Sequence, residues 1–276
     1  MLKKRIITAL LLVALLVTLI MSLSPLMFAI MTVPVLLLAG SEWITLMEIK
    51  ARNLHFAYLI SLLLSLVGMG IWLNVGTSFR QNAAQDILLL APMIWVVLFI
   101  GILMYPSGSK FWSARPVMGI LGIVLLSLTW IAIISIQARP LGDSLLLIAF
   151  AIVAFSDVGG FVAGKLFGRH KLAPVISPGK TWEGLVGSLL FQVLLVSGLT
   201  SFVKTELSIL GLSSIVVLVA LVSVGGDLFE SMVKRHIGVK DSGSALPGHG
   251  GILDRIDGMI PALPVYAVFL PVAQTL

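Results

Sequence analysis

The sequence predicts an all-α, polytopic integral membrane bundle of about nine transmembrane helices. Three observations lead there. Of the 276 residues, 59% are hydrophobic and only 11% charged, with a mean hydropathy of +1.13. A water-soluble globule carries about a quarter charged residues, so this chain has too little polar surface to fold in water. Its apolar residues also fall in runs of about 20, the length that crosses a hydrocarbon core roughly 30 Å thick. Finally, its basic residues gather in alternate connections between those runs.

In chain order the runs lie at 6–22, 25–40, 56–74, 87–104, 117–136, 144–164, 184–203, 209–228 and 259–275. The first follows Lys3, Lys4 and Arg5, but no small-residue cleavage pattern comes after it, so it reads as an uncleaved helix and not as a signal peptide. The second is short and contains Pro25 and Pro34, which makes a kinked or incomplete span the expectation. With the N-terminus in the cytoplasm, fifteen of the 18 Lys and Arg residues fall in cytoplasmic segments. Only Arg80, Arg139 and Lys204 stand on the other side, as the positive-inside rule requires. A basic cytoplasmic face suits anionic lipid headgroups and nucleotides. The expected location is a bacterial cytoplasmic (inner) membrane.

The chain divides unequally. Residues 1–143 are almost pure membrane helix and read as a scaffold, whereas 144–276 carry the acids, the glycine clusters and two long polar loops, 165–181 and 229–258. Any chemistry belongs to this second region. Cysteine is absent, which removes a disulfide framework, a thiol nucleophile and cysteine-ligated metal, so a metal ion would need oxygen or histidine ligands.

Three constellations stand out. The first is Ser156-Asp157-Val-Gly-Gly160-Phe161-Val-Ala-Gly164-Lys165, at or near the end of the sixth run. A carboxylate near the middle of a membrane helix costs roughly 2.5–3.5 kcal/mol, so Asp157 should face a cavity, a partner or a metal. The second is Ser177-Pro-Gly-Lys180-Thr181-Trp-Glu183-Gly184. Its Gly-Lys-Thr is not a Walker motif, because Pro174 stands where the first glycine belongs and no strand precedes it. A Ser-Pro turn entering a helix would expose backbone N–H groups beside Lys180 and Thr181, suited to an anion. A plain capped helix start, with Glu183 in the first turn, is the alternative.

The third begins at Gly225-Gly226-Asp227-Leu-Phe-Glu230 and runs through Ser231, Lys234, Arg235, Lys240, Asp241 and Pro247-Gly-His249-Gly-Gly251 to Asp254-Arg255-Ile-Asp257. If 227–235 is helical, Asp227, Ser231 and Lys234 share one face, as do Asp254 and Asp257 at the next helix start. Carboxylate-bearing helix ends on either side of a glycine-rich loop make an oxygen-ligand site for Mg²⁺, which favours few carboxylates plus phosphate oxygens. His249 either anchors that loop or transfers a proton.

The run Ser231-x-x-Lys234-Arg235-x4-Lys240-Asp241-x-Gly243-x3-Pro247-Gly-His249-Gly-Gly-x-x-Asp254-Arg255-x-Asp257 resembles the signature of phosphatidate cytidylyltransferases, the CDP-diacylglycerol synthases. The Asp157, Ser177–Gly184 and Gly226–Ser231 segments are also similar to that family, in the same order. Gly160-Phe161 stands where many members carry Ala-Tyr, which removes a tyrosine hydroxyl but leaves the acids. The resemblance covers residues 150–258.

It implies transfer of a cytidylyl group from CTP to phosphatidic acid, with Mg²⁺ as cofactor and a second, monovalent cation such as K⁺. Under it Asp227 and Asp257 are the metal ligands, and Asp227, Asp257, Asp254 and Lys234 the catalytic residues. Lys180, Ser177, Thr181, Arg235, Lys240, His249, Arg255 and Asp157 bind substrate. Expected partners are CTP, phosphatidic acid, membrane lipids and a second copy in a homodimer, with no nucleic acid. Two other functions stay open: a CTP-dependent polyprenol or phytol kinase, and an ion-coupled transporter using Asp157 and Asp227. A CDP-alcohol phosphotransferase is disfavoured, because Met-Ile-Pro-Ala follows Asp257-Gly258 in place of that family's Asp-Gly-x-x-Ala-Arg.

Overall fold

Within lipid every backbone N–H and C=O must find its partner inside the protein, so long apolar runs fold as helices. The computed structural model describes residues 13–202, 209–245 and 250–275. These form α1 (Val13–Ser22), α2 (Pro25–Leu46), α3 (Arg52–Trp72), α4 (Gln81–Leu88), α5 (Leu90–Leu103), α6 (Ser109–Trp112), α7 (Arg115–Gln137) and α8 (Gly142–Phe167). A hairpin of β1 (Lys171–Ala173) and β2 (Ser177–Thr181) follows, then α9 (Trp182–Phe202), α10 (Ile209–His236), α11 (Leu253–Ile256) and α12 (Met259–Thr275).

The described part of each of the nine apolar runs falls on a helix, the fourth on α4 and α5, which break at Leu89. Among the described residues six helical segments are long and apolar enough to cross a membrane: α2, α3, α4 with α5, α7, α8 and α10. The described apolar parts of α1 and α9 are shorter, and α12 has 17 residues.

The second run is longer than its prolines suggested. Pro25 occupies the first helical turn, where its missing N–H costs nothing, and Ser24 Oγ accepts the Met27 N–H at 3.4 Å. The helix then continues through Pro34 to Leu46.

Both polar loops are shorter than expected. Residues 229–236 extend α10, 165–167 extend α8, and α11 adds one helical turn before Asp257. A helix tip at the membrane boundary can hydrate its polar side chains, so the helix does not stop where the apolar run stops. Ser177 does not enter a helix either. It lies in β2, paired with Ala173, while Lys171 pairs with Thr181. The residue that caps α9 is Thr181, whose Oγ1 accepts the Gly184 N–H at 3.1 Å.

Helix association in a membrane relies on close packing and interhelical hydrogen bonds. In the most apolar stretch of α7, 67% of residues are buried, against 17% in α3, so α7 is central and α3 peripheral. Two tryptophans join α2 to α7: Trp43 Nε1 donates to the Met118 carbonyl at 2.8 Å, and Trp130 Nε1 to that of Ala29 at 3.1 Å. Helices α8 and α9 pack through glycine, since a Cβ on Gly184 would lie 2.9 Å from the Gly160 carbonyl oxygen. The ends of α2, α8 and α10, the starts of α9 and α12, the hairpin and α11 meet at one end of the bundle.

Candidate active site

A cavity of about 520 Å³ opens at that end. Asp157 lines it from α8, Ser177, Lys180 and Thr181 from β2, Asp227 from α10, Asp254 and Arg255 from α11, and Asp257 from the junction with α12. All three sequence constellations therefore contribute to one space.

The hairpin brings Lys180 to the cavity wall. Its ammonium lies 2.7 Å from Asp227 Oδ2 and also donates to the Val224 carbonyl at 3.1 Å. The other oxygen of Asp227 accepts the Ser231 hydroxyl at 3.2 Å, one helical turn on. Asp227 and Ser231 do share a face, as the spacing required.

Asp257 approaches Asp227 because the backbones meet without an intervening side chain. A Cβ on Gly226 would stand 2.6 Å from Pro261 Cγ and collide with the Asp257 carbonyl oxygen. The Asp257 carboxylate accepts the Gly258 N–H at 2.7 Å. Burial, with the neighbouring charges of Asp227 and then Glu230, pushes its carboxyl well above the usual carboxylate range. Added positive charge at this point would be strongly favoured.

Lys234, one turn beyond Ser231 along the same helix face, pairs with other acids than Asp227. Its Nζ lies 2.8 Å from Glu230 and 2.6 Å from Asp254. Asp254 also accepts the backbone N–H groups of Ser242, at 3.0 Å, and Gly251, at 2.8 Å. Burial works against ionising Asp254, yet Lys234 and these amides hold its carboxyl below the usual range.

The remaining bases are separated from the cavity wall. Arg235 donates Nε to the Ile176 carbonyl at 3.2 Å, tethering the hairpin turn to α10. Neither Arg235 nor Lys240 is among the residues lining the cavity, and both are exposed. His249 lies outside the described residues.

Two further acids hold segments around the site: Glu183, which the sequence placed in a first helical turn, and Glu42, which sequence reasoning left out. Glu183 accepts the N–H groups of Arg169 and His170 at 3.1 and 3.2 Å, closing the base of the hairpin. Glu42, on α2, accepts from the segment that enters α11. The signal available for Glu42 was an acid inside an otherwise apolar helix, which lipid makes expensive.

Among the described residues no group of three or more His, Asp or Glu is assembled as a metal cage. The chemistry of the cavity is instead four carboxylates, Asp157, Asp227, Asp254 and Asp257, beside Lys180 and Arg255. Such a wall can hold polyanions and a hard cation together.

Residues 3–273 match the cytidylyltransferase family. The chain is 34% identical to the phosphatidate cytidylyltransferase of Haemophilus influenzae, with 98% of each chain covered. It is also 34% identical to that of Pseudomonas aeruginosa, across 98% of this chain and 97% of the other. A stretch of 134 residues is 44% identical to the phosphatidate cytidylyltransferase of Staphylococcus epidermidis, covering 49% of this chain and 52% of that one. On this evidence the chain belongs to the cytidylyltransferase family.

Proposed function

We propose that this chain is a phosphatidate cytidylyltransferase, converting CTP and phosphatidic acid to CDP-diacylglycerol and pyrophosphate. The observation that carries the reading is the cavity where Asp157, Asp227, Asp254 and Asp257 converge with Lys180 and Arg255 at one end of a membrane bundle. A water-soluble nucleotide and a bilayer lipid must meet at such a boundary. An oxygen of the lipid phosphate attacks the α-phosphorus of CTP in line, the new P–O bond forms, and the α–β anhydride bond breaks to release pyrophosphate.

The chain's own part is to bind and align two polyanions. Lys180, Ser177, Thr181 and Arg255 hold their phosphate oxygens, and Asp157 closes the α8 wall. Lys180 exchanges its Asp227 partner for a phosphate as substrate enters. Lys234 serves by fixing Asp254, while Arg235 and Lys240 add positive charge around the site. The oxygen donors fit a hard cation, because Asp257 is driven toward its neutral form unless positive charge joins it. Mg²⁺ held by Asp227 and Asp257, with Asp254 acting through water, would draw charge from the α-phosphate and the leaving pyrophosphate. A monovalent cation such as K⁺ and a homodimer belong to the same reading.

Pyrophosphate released from CTP, dependent on phosphatidic acid and Mg²⁺ in detergent, is the expected product. Release of CDP would mean a kinase and overturn the assignment, as would no turnover at all. We place the cavity on the cytoplasmic side of a bacterial inner membrane, as the basic segments suggest. Because the chain has no cysteine, single cysteines in place of the exposed His170 and Ser244 report this directly. Both should react from the cytoplasmic side, and labelling from opposite sides would refute the topology.

A further inference from the structure

Glu42 sits in the half of the chain that reads as scaffold, and only 7% of it is exposed. Among the described residues it forms no ion pair with a basic side chain. Its Oε1 accepts the Ile252 N–H at 3.0 Å, and its Oε2 accepts the Leu253 N–H at 2.7 Å and the Ser242 hydroxyl at 3.1 Å. The first N–H groups of a helix have no partners within it. Glu42 supplies them for α11 from a helix 210 residues away in sequence.

The segment before α11 is shaped around this carboxylate. A Cβ on Gly243 would lie 2.6 Å from Glu42 Oε1, and one on Gly251 would collide with Oε2 and with Ser242 Oγ. From the other side Asp254 accepts the Ser242 and Gly251 amides and is held by Lys234 of α10. Two carboxylates thus satisfy four backbone N–H groups at the two ends of the 242–253 segment. A single helical turn of four residues cannot hold its own geometry, because nucleation costs more than one turn returns. The direction of α11 comes from its caps.

We infer that Glu42 is a positioning residue: from α2 it fixes the orientation of α11, and with it the side chains of Asp254, Arg255 and Asp257 at the cavity. Its kinetic consequence rests on the cytidylyl-transfer reading; the mechanical one does not.

The test is hydrogen exchange and steady-state kinetics on the full-length protein in detergent, comparing wild type, Glu42→Gln, Glu42→Asp and the neighbouring Thr45→Ala. Glutamine keeps the shape but turns an amide NH₂ toward a backbone N–H, so one of the two caps is lost. Exchange at 251–253 should accelerate about tenfold or more, with α2, α7 and α10 unchanged and the thermal midpoint within about 4 °C. The kcat should fall about 10- to 100-fold, more than KM for CTP rises. Glu42→Asp, which keeps both oxygens, should recover part of kcat, and Thr45→Ala should match wild type.

Wild-type exchange at 251–253 or wild-type kcat in Glu42→Gln would overturn the inference. So would a kcat loss accompanied by faster exchange throughout α2, α7 and α10, which would mark a purely structural acid. Should Glu42→Gln not fold, Ser242→Ala decides, since it removes only one of the three bonds. Faster exchange with reduced kcat then supports the inference, and wild-type values refute it. If the wild type makes no CDP-diacylglycerol, the functional reading fails while exchange still judges the clasp.

Discussion

Substituting Gly226 by alanine adds one methyl group at the place where α10 meets the α11–α12 junction. That methyl would lie 2.6 Å from Pro261 Cγ and 2.8 Å from its Cδ, where ordinary contact begins at 3.4 Å. Pro261 is a rigid ring in the first turns of α12 and the other obstacle is the Asp257 backbone oxygen, so no flexible side chain can yield. The helices must separate by about 0.8 Å, and Asp227 moves away from Asp257 by a similar amount. Overpacking of this kind costs about 1–3 kcal/mol, and a displacement near 1 Å at reacting groups lowers turnover by about 100-fold. The assay is pyrophosphate release at saturating CTP and phosphatidic acid, beside thermal unfolding in the same detergent. Gly68→Ala is the control, because nothing lies within 4 Å of a Cβ there. A Gly226→Ala protein with wild-type kcat would refute the claim that this close approach sets the Asp227–Asp257 geometry.

Other expectations follow from the same contacts. Asp227→Asn or Asp257→Asn should reduce turnover below about 1% while membrane insertion stays normal, and near wild-type turnover in either would remove that residue from the proposed cation site. Lys234→Met leaves Glu230 and Asp254 facing each other without a counter-charge, so it should destabilise the protein by about 3–5 kcal/mol in denaturant titration. Adding Glu230→Gln should restore part of that loss. Asp254 is held below the usual carboxylate range, so its contribution to stability is complete above the ordinary carboxylate pKa of about 4 and disappears as pH falls through its depressed value. Thermal midpoints measured from pH 7 downward should show this acid loss, and Asp254→Asn should flatten it.

The membrane helices were legible because length and apolarity alone determine what can span lipid. Their polar tips were less plain: in Asp227–His236 the continuous apolar run ends, and only Leu228, Phe229, Met232 and Val233 keep a helical period, although the i, i+4 pairing of Asp227 and Ser231 follows once α10 continues. Ser177–Thr181 reads as a turn because it contains proline and glycine, and its strand conformation depends on pairing with 171–173. Cavity residues from all three constellations were found because charged groups in so apolar a chain have few other uses. The partners of Lys234 were missed for a different reason. One of them, Asp254, is 20 residues away across an irregular segment, and no helical spacing encodes that contact. Glu42 is the extreme case, since its meaning lies wholly in amides at the other end of the chain.

That separation also has a timetable. When Glu42 is added to the chain, the first amide that will receive it is still 210 residues from being made. At about 5–20 residues per second, roughly 10–40 s pass before it is made. During that interval the acid must be tolerated without its partners, near the C-terminal end of α2 where water is within reach. The final turn of the bundle can therefore close only after residue 253 has been made, and assembly of the site comes long after insertion of α2.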